Sequence, residues 1–161
     1  MTVLTKVILL SFSILIQCTL FSQEKEPEPY IEKSFLIIAS TQDLKEAQRI
    51  AKTAATKTGY SLKDTKLQAN EFIGASFCED SCKVYGWDFP CYVGRGRYDD
   101  GIYLSVEYSN AYSGFKKGLF IVIAANGNKT EKEMKDVLVK VKLHYPKSYI
   151  KTTKVYIGCM H

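Results

Sequence analysis

The chain is poor in the residues that most often carry chemistry. It has two histidines, one tryptophan and four prolines in 161 residues. His144 stands beside Tyr145 and Pro146, where an imidazole at a helix end caps carbonyls. His161 is the last residue, and neither histidine has an evident orienting carboxylate. A catalytic centre built on histidine therefore has no support in the sequence. A strong excess of one charge is also lacking. The 22 Lys and Arg stand against 17 Asp and Glu, for a net +5. This falls short of the dense basic patch of a nucleic-acid binder. It allows a weak, salt-screened attraction to anionic cell-wall polymers or to an acidic partner. No apolar run is long enough for a comfortable membrane span. The longest runs from Val7 to Ile16 and is broken by Ser11 and Ser13, with Gln17 directly after it.

What that run does fit is an export signal. A short region with one charge, Lys6, precedes it, and Leu20-Phe21-Ser22 offers a small residue before Gln23. Residues 1–22 are read as a signal peptide. Residues 23–32, opening Gln-Glu-Lys-Glu-Pro-Glu-Pro, are read as a flexible, solvated leader. Cys18 raises a rival, a lipidated cysteine at the cleavage point. Leu15 suits that pattern, while Gln17 and the apolar residues after Cys18 do not. About 139 residues remain once 22 are removed from 161, and loss of Lys6 lowers the net charge to +4. That length suits one domain, 33–161, with a substantial core and no membrane span after signal removal.

Apart from Cys18 there are four cysteines: Cys78, Cys82, Cys91 and Cys159. An even number in an exported chain reads as two disulfides, and the sequence does not choose among three pairings. Cys159 is expected to tie back to one of the clustered three, with the other two joined locally.

Two segments look like variants of one unit. Ser34 to Ser40 is an apolar strand. A helix is expected from about Gln42 to Thr58, with Leu44, Ala47, Ile50, Ala51 and Ala54 on one face. Ser40 or Thr41 is the expected cap at its start, and Gly59 the left-handed residue at its end. Tyr60 to Leu67 reads as the return strand. The second unit runs from Gly118 to Ala125, turns at Asn126-Gly127 and continues as a helix from about Lys129 to His144. Met134, Val137, Leu138 and Val141 form its apolar face. Pro146 stops it, and Ser148 to Gly158 is a final strand. The expected fold is α+β, a ferredoxin-like split βαβ-βαβ antiparallel sheet with two helices. Its first and third strands are wholly apolar and thus central. Between the units, about 68–114, lies a β insertion stapled by disulfides. Asn70 to Phe77 is a possible strand there, and Cys78 to Tyr98 a stapled loop. Ile102 to Tyr108 alternates cleanly, with Ile102, Leu104, Val106 and Tyr108 on one side and Tyr103, Ser105 and Glu107 on the other.

The first unit, Phe35-Leu-Ile-Ile-Ala-Ser-Thr-Gln-Asp-Leu-Lys-Glu-Ala-Gln-Arg-Ile-Ala, resembles a SPOR repeat, the sporulation-related peptidoglycan-binding domain. Ala39, Ser40, Ala47 and Ala51 fall in matching places, and the second unit follows the outline more loosely. The resemblance covers about two thirds of the mature chain. It implies a βαβ-βαβ fold that binds cell-wall glycan stripped of peptides through the open face of its sheet. Three departures stand out. Phe35 to Ala39 lacks the polar residue that family often places in the strand, Thr41 replaces an aromatic, and the Cys-rich insertion is added. Together the first and third suggest that the insertion covers the glycan face.

Other constellations have plainer alternatives. Cys78, Cys82 and Cys91, with Cys159 and His161, have no known zinc-finger spacing, so no metal is assigned. With four cysteines to pair, no thiol is left over as a nucleophile. Asp99 and Asp100, near Glu79, Asp80 and Asp88, suggest a glycosidase carboxylate pair, but Asp-Asp-Gly101 is more simply a turn. Asn128-Lys129-Thr130 is either a glycosylation sequon or a helix cap. Gly94-Arg95-Gly96-Arg97-Tyr98 is the most distinctive surface stretch, a glycine-rich loop carrying two arginines among tyrosines. The expectation is an exported binding domain, not an enzyme, without cofactor. Its binding surface comprises Tyr85, Trp87, Tyr92, Arg95, Arg97, Tyr98 and Tyr103, and its partner is cell-wall glycan. The alternative is an inhibitor or immunity-type protein that captures an extracytoplasmic enzyme through the Cys78–Tyr98 loop.

Overall fold

A computed structural model of the chain describes residues 29–127 and 131–158. The stretch read as a signal peptide with Cys18, most of that read as a leader, the Asn128 sequon, Cys159 and His161 lie outside the described residues.

The elements follow in the order β1 (Tyr30–Thr41), α1 (Leu44–Thr58), β2 (Gln68–Asn70), β3 (Gly74–Ser76), α2 (Glu79–Val84), β4 (Gly101–Tyr108), a 3₁₀ turn (Ser109–Ala111), β5 (Phe120–Gly127), α3 (Glu131–Lys142) and β6 (Tyr149–Tyr156). Four strands form one antiparallel sheet in the order β4-β5-β1-β6, and β2 pairs with β3 in a separate hairpin. The units β1-α1-β4 and β5-α3-β6 therefore interleave, with β1 and β5 at the centre. Among the described residues no helix is long and apolar enough to cross a membrane.

Sequence explains the framework directly. Helix α1 buries Ala47, Ala51 and Ala54 and ends at Gly59 with φ +72°. Small alanines let the helix lie close to the sheet. Met134, Val137 and Val141 are the buried stripe of α3. Both pack on the sheet face that presents Leu36, Ile38, Leu104, Val106 and Val122. Burying such side chains contributes about 1.5–3 kcal/mol each, so this face supplies most of the core.

Four expectations need correction. The first strand starts at Tyr30, inside the stretch read as leader, because Tyr30 to Lys33 find partners on β6 at Thr153 to Tyr156. The α1 cap is Asp43, whose carboxylate accepts from the Lys45 N–H at 2.8 Å, while Thr41 continues the strand. The return strand after α1 is β4, not Tyr60 to Leu67. That earlier segment makes one parallel bridge, Leu62 to Leu104, with backbone bonds of 2.7 and 2.8 Å beside the edge of β4. It covers an edge that would otherwise be open. Finally, Asn126-Gly127 is no turn; both residues belong to β5, and Asn126 is fully buried.

Candidate functional site

The second face of the sheet is closed. Phe35, Ile37, Ile121, Ile123 and Val155 form an apolar patch there, capped by Tyr112 and Phe115 from the β4–β5 connection. The Tyr112 ring meets Phe35 edge-on at 5.0 Å. The connection is tied down at β6, where Thr153 Oγ1 donates to the Ser113 carbonyl at 2.5 Å. Beside this patch the cover is polar and comes from residues 92–100.

Arg95 is the centre of that cover. It is only 4% exposed, so the expected surface arginine is an interior one. Its Nε donates to Asn126 Oδ1 at 2.5 Å. Its Nη1 donates to the Tyr103 carbonyl at 2.8 Å and to Ser105 Oγ at 3.0 Å, and its Nη2 to the Gly101 carbonyl at 2.9 Å. The guanidinium lies 3.5 Å from the Tyr103 ring centre, a stacking contact suited to its planar charge. The strap approaches the sheet closely because its neighbours are glycines. Gly96 has φ +94°, and a Cβ there would stand 2.9 Å from the Phe35 ring.

Glu107 is the buried acid beneath the same strap. It accepts from Tyr92 Oη at 2.8 Å, from the Arg95 N–H at 3.2 Å and from Tyr112 Oη at 3.5 Å. Burial pushes its carboxyl above the ordinary value of 4.5, and these donors only partly offset that. Burial likewise raises Tyr92 and Tyr112, with the Glu107 charge adding to it. Burial lowers Arg95, although its surroundings oppose the change. Asp99 and Asp100 anchor the far end of the strap. Asp99 accepts from Tyr103 Oη and from Lys63 Nζ, the latter at 2.9 Å. Burial works to raise Asp99, but these bonds outweigh it and hold the carboxyl below its usual range. Asp100 pairs with buried Lys33 at 2.7 Å and accepts from Asn126 Nδ2 at 3.0 Å. Each of the two aspartates thus has its own cation, and they are structural anchors of the strap.

Outside this sealed layer lies a groove of about 440 Å³, within the size range of ligand pockets. One wall is Lys63 to Lys66, and the other is built from Phe77, Ser81, Tyr85 and Trp87, with Val93 to Arg95, Tyr98, Asp99, Tyr103 and Glu107 completing the lining. Tyr85 and Trp87 stack with ring centres 5.1 Å apart. Lys66 adopts φ +50°, which is unusual for a side chain of that kind, and its N–H is held by Asp64 Oδ1 at 2.9 Å.

Of the residues singled out by sequence, Tyr85, Trp87, Tyr98 and Tyr103 meet here, and Arg95 contributes to the wall from inside. Tyr92 points to Glu107 instead. Arg97 does not line the groove. It donates to the Gly158 carbonyl and lies over the rings of Tyr98 and Tyr156 at 5.2 and 5.0 Å. The stretch Gly94 to Tyr98 is therefore a clamp, not a loop of solvated arginines. Sequence reasoning missed Lys63, Thr65, Lys66, Phe77 and Ser81. The turn-forming Lys-Asp-Thr-Lys after Leu62 was the available signal.

The expected sulfur pattern is present in one bridge. Cys82 and Cys91 are joined across nine residues, and this bridge is compatible with an oxidising, exported location. Among the described residues Cys78 has no disulfide partner, and Cys159, the other cysteine expected to pair, lies outside them. Cys78 Sγ lies 3.0 Å from Ser81 Oγ, and the hydrogen bonds to Ser81 lower its pKa. Among the described residues no group of three or more His, Cys, Asp or Glu is placed to hold a metal ion.

The fold and groove define an α+β sandwich of ferredoxin-like topology with a disulfide-pinned lobe. No family model, no curated protein and no solved structure matches the chain.

Proposed function

We propose that the protein is an exported, non-catalytic binding domain whose groove takes a saccharide chain of the cell wall. The observation that carries this reading is the aromatic wall. Tyr85 and Trp87 stack, Tyr98 is 70% exposed, and the lining also holds the polar side chains of Lys63, Thr65, Lys66 and Ser81. Sugar rings dock their C–H faces on aromatic rings while side chains at the margin take their hydroxyls. The resemblance of the first unit to a SPOR repeat points to the same ligand class. The ligand would sit in a different place, because the sheet face that the resemblance implies is buried here under Arg95, Tyr112 and Phe115.

Trp87 is the only tryptophan in the chain, so its emission reports the groove alone. Titration with purified, peptide-free glycan strands should change that emission saturably. Tyr98→Ala should weaken the response about tenfold, a typical cost for an anchoring aromatic. Unchanged emission, together with no retention on wall sacculi at low salt, would contradict the reading.

A further inference from the structure

We infer that the lobe spanning residues 68–91 is a docking surface for a cationic protein. Its exposed apolar residues Phe72, Val84 and Phe89 lie outside the groove lining, whereas Phe77, Ser81, Tyr85 and Trp87 of the same lobe belong to it. Phe72 and Val84 are the most exposed large apolar side chains described, at 80% and 82%, and Phe89 is exposed as well. Water-facing apolar side chains on one small lobe suit an interaction site.

The hairpin tip is held in place before any partner arrives. Asn70 Oδ1 accepts from the N–H groups of Phe72 at 2.9 Å and Ile73 at 3.1 Å. Gly74 has φ +81°, and a Cβ there would run into the Tyr108 ring. The strand after it is fastened to the disulfide. Ser76 Oγ accepts from the Cys91 N–H at 3.0 Å, and the Phe77 N–H donates to the Cys91 carbonyl at 2.8 Å. A side chain presented this rigidly loses little entropy on binding.

Charge selects the partner. Residues 68–91 carry Glu71, Glu79, Asp80 and Asp88 against a single base, Lys83, which is paired with Glu79 at 2.8 Å. Helices α1 and α3, by contrast, hold eight basic and four acidic residues. The lobe is thus acidic, whereas the two long helices are basic. Such a lobe steers toward a basic surface and is repelled by an acidic one, so two lobes would not pair with each other. The fitting partner is a basic protein with an apolar pocket for Phe72.

A photo-crosslinking amino acid placed at position 72, at 84 and, as control on α3, at 139 of the full chain tests this in the native cell envelope. Adducts from 72 and 84 with one basic protein, identified by mass, and none from 139, support the inference. The purified partner should then bind the chain with an affinity that falls about tenfold on Phe72→Ala and on Glu71→Lys, and that weakens with salt. Tyr98→Ala should leave this binding unchanged, which separates it from the glycan groove. Thermal unfolding confirms that the exposed substitutions leave the fold intact. No adduct above the control, an adduct with an acidic protein or with a second copy, or affinity indifferent to Phe72→Ala overturns it.

Discussion

The two faces of the sheet are closed by different means. One is covered by α1 and α3 through alanine, valine and methionine contacts that need only the right period and volume. The other is covered by an irregular strap whose backbone is held by Arg95, Glu107, Asn126 and the two aspartates. Apolar packing tolerates approximate solutions, whereas a buried polar network is favourable only when its members are satisfied together. The first face is therefore robust and generic. The second is specific to this chain, and it places the groove.

The largest effect should come from breaking the polar cover. Arg95→Met leaves Asn126 Oδ1 and the Gly101 and Tyr103 carbonyls without their donor. The loss is expected to be on the order of 3 kcal/mol in urea unfolding. A neutral result would mean that the strap is not integral to the second face. Next in size is the bridge. Cys82→Ser with Cys91→Ser removes a closed loop of about ten residues, worth about 2.5 kcal/mol in the chain-entropy model. Limited proteolysis should then cut within 68–91 before it cuts α1 or α3.

A pH series sharpens the same contrast. Glu107 has a folded-state value raised above its unfolded one, so the folded protein holds that proton more tightly. Its ionisation costs stability, and this contribution worsens as pH rises from the ordinary value of 4.5 through the folded value. Asp99, held low, acts in the opposite sense and loses its contribution as pH falls through its folded value. Glu107→Gln keeps an acceptor for Tyr92 and Arg95, and should remove the first slope while leaving the second. An unchanged profile would show that Glu107 does not titrate as its burial implies. The smallest effect on stability belongs to Tyr98→Ala, within about 0.5 kcal/mol because the ring is exposed, even as glycan binding falls.

These differences track what could be read from the residues. Ala47, Ala51 and Ala54, the Gly59 cap and the Met134-Val137-Val141 stripe announced the helices, because period and capping are local signals. The central placement of β1 and β5 followed from their unbroken apolar runs. The strand partner of α1 was misassigned because Leu62 and Leu67 mimic a short strand, and the true one comes after a forty-residue excursion. Arg95 was misjudged for a physical reason: arginine is exposed by default, and only a long-range set of acceptors buries it. Traces of that set were visible. Gly94 and Gly96 flank it, Ser105 and Glu107 occupy the second face of β4, and Asn126 interrupts an apolar strand. No local rule joins residues so far apart. The groove's aromatic side, Tyr85, Trp87, Tyr98 and Tyr103, was legible by composition, whereas its Lys63–Lys66 wall depends on how the chain crosses the β4 edge.

Amide hydrogen exchange with and without peptide-free glycan strands locates the ligand directly. A groove ligand predicts slowed exchange at residues 63–66 and 85–98, with no change in Phe35–Ile37 or Ile121–Ile123. Protection spreading along those central strands, with the groove segments unaffected, would mean that the sheet face opens to receive the glycan and that the strap is no seal.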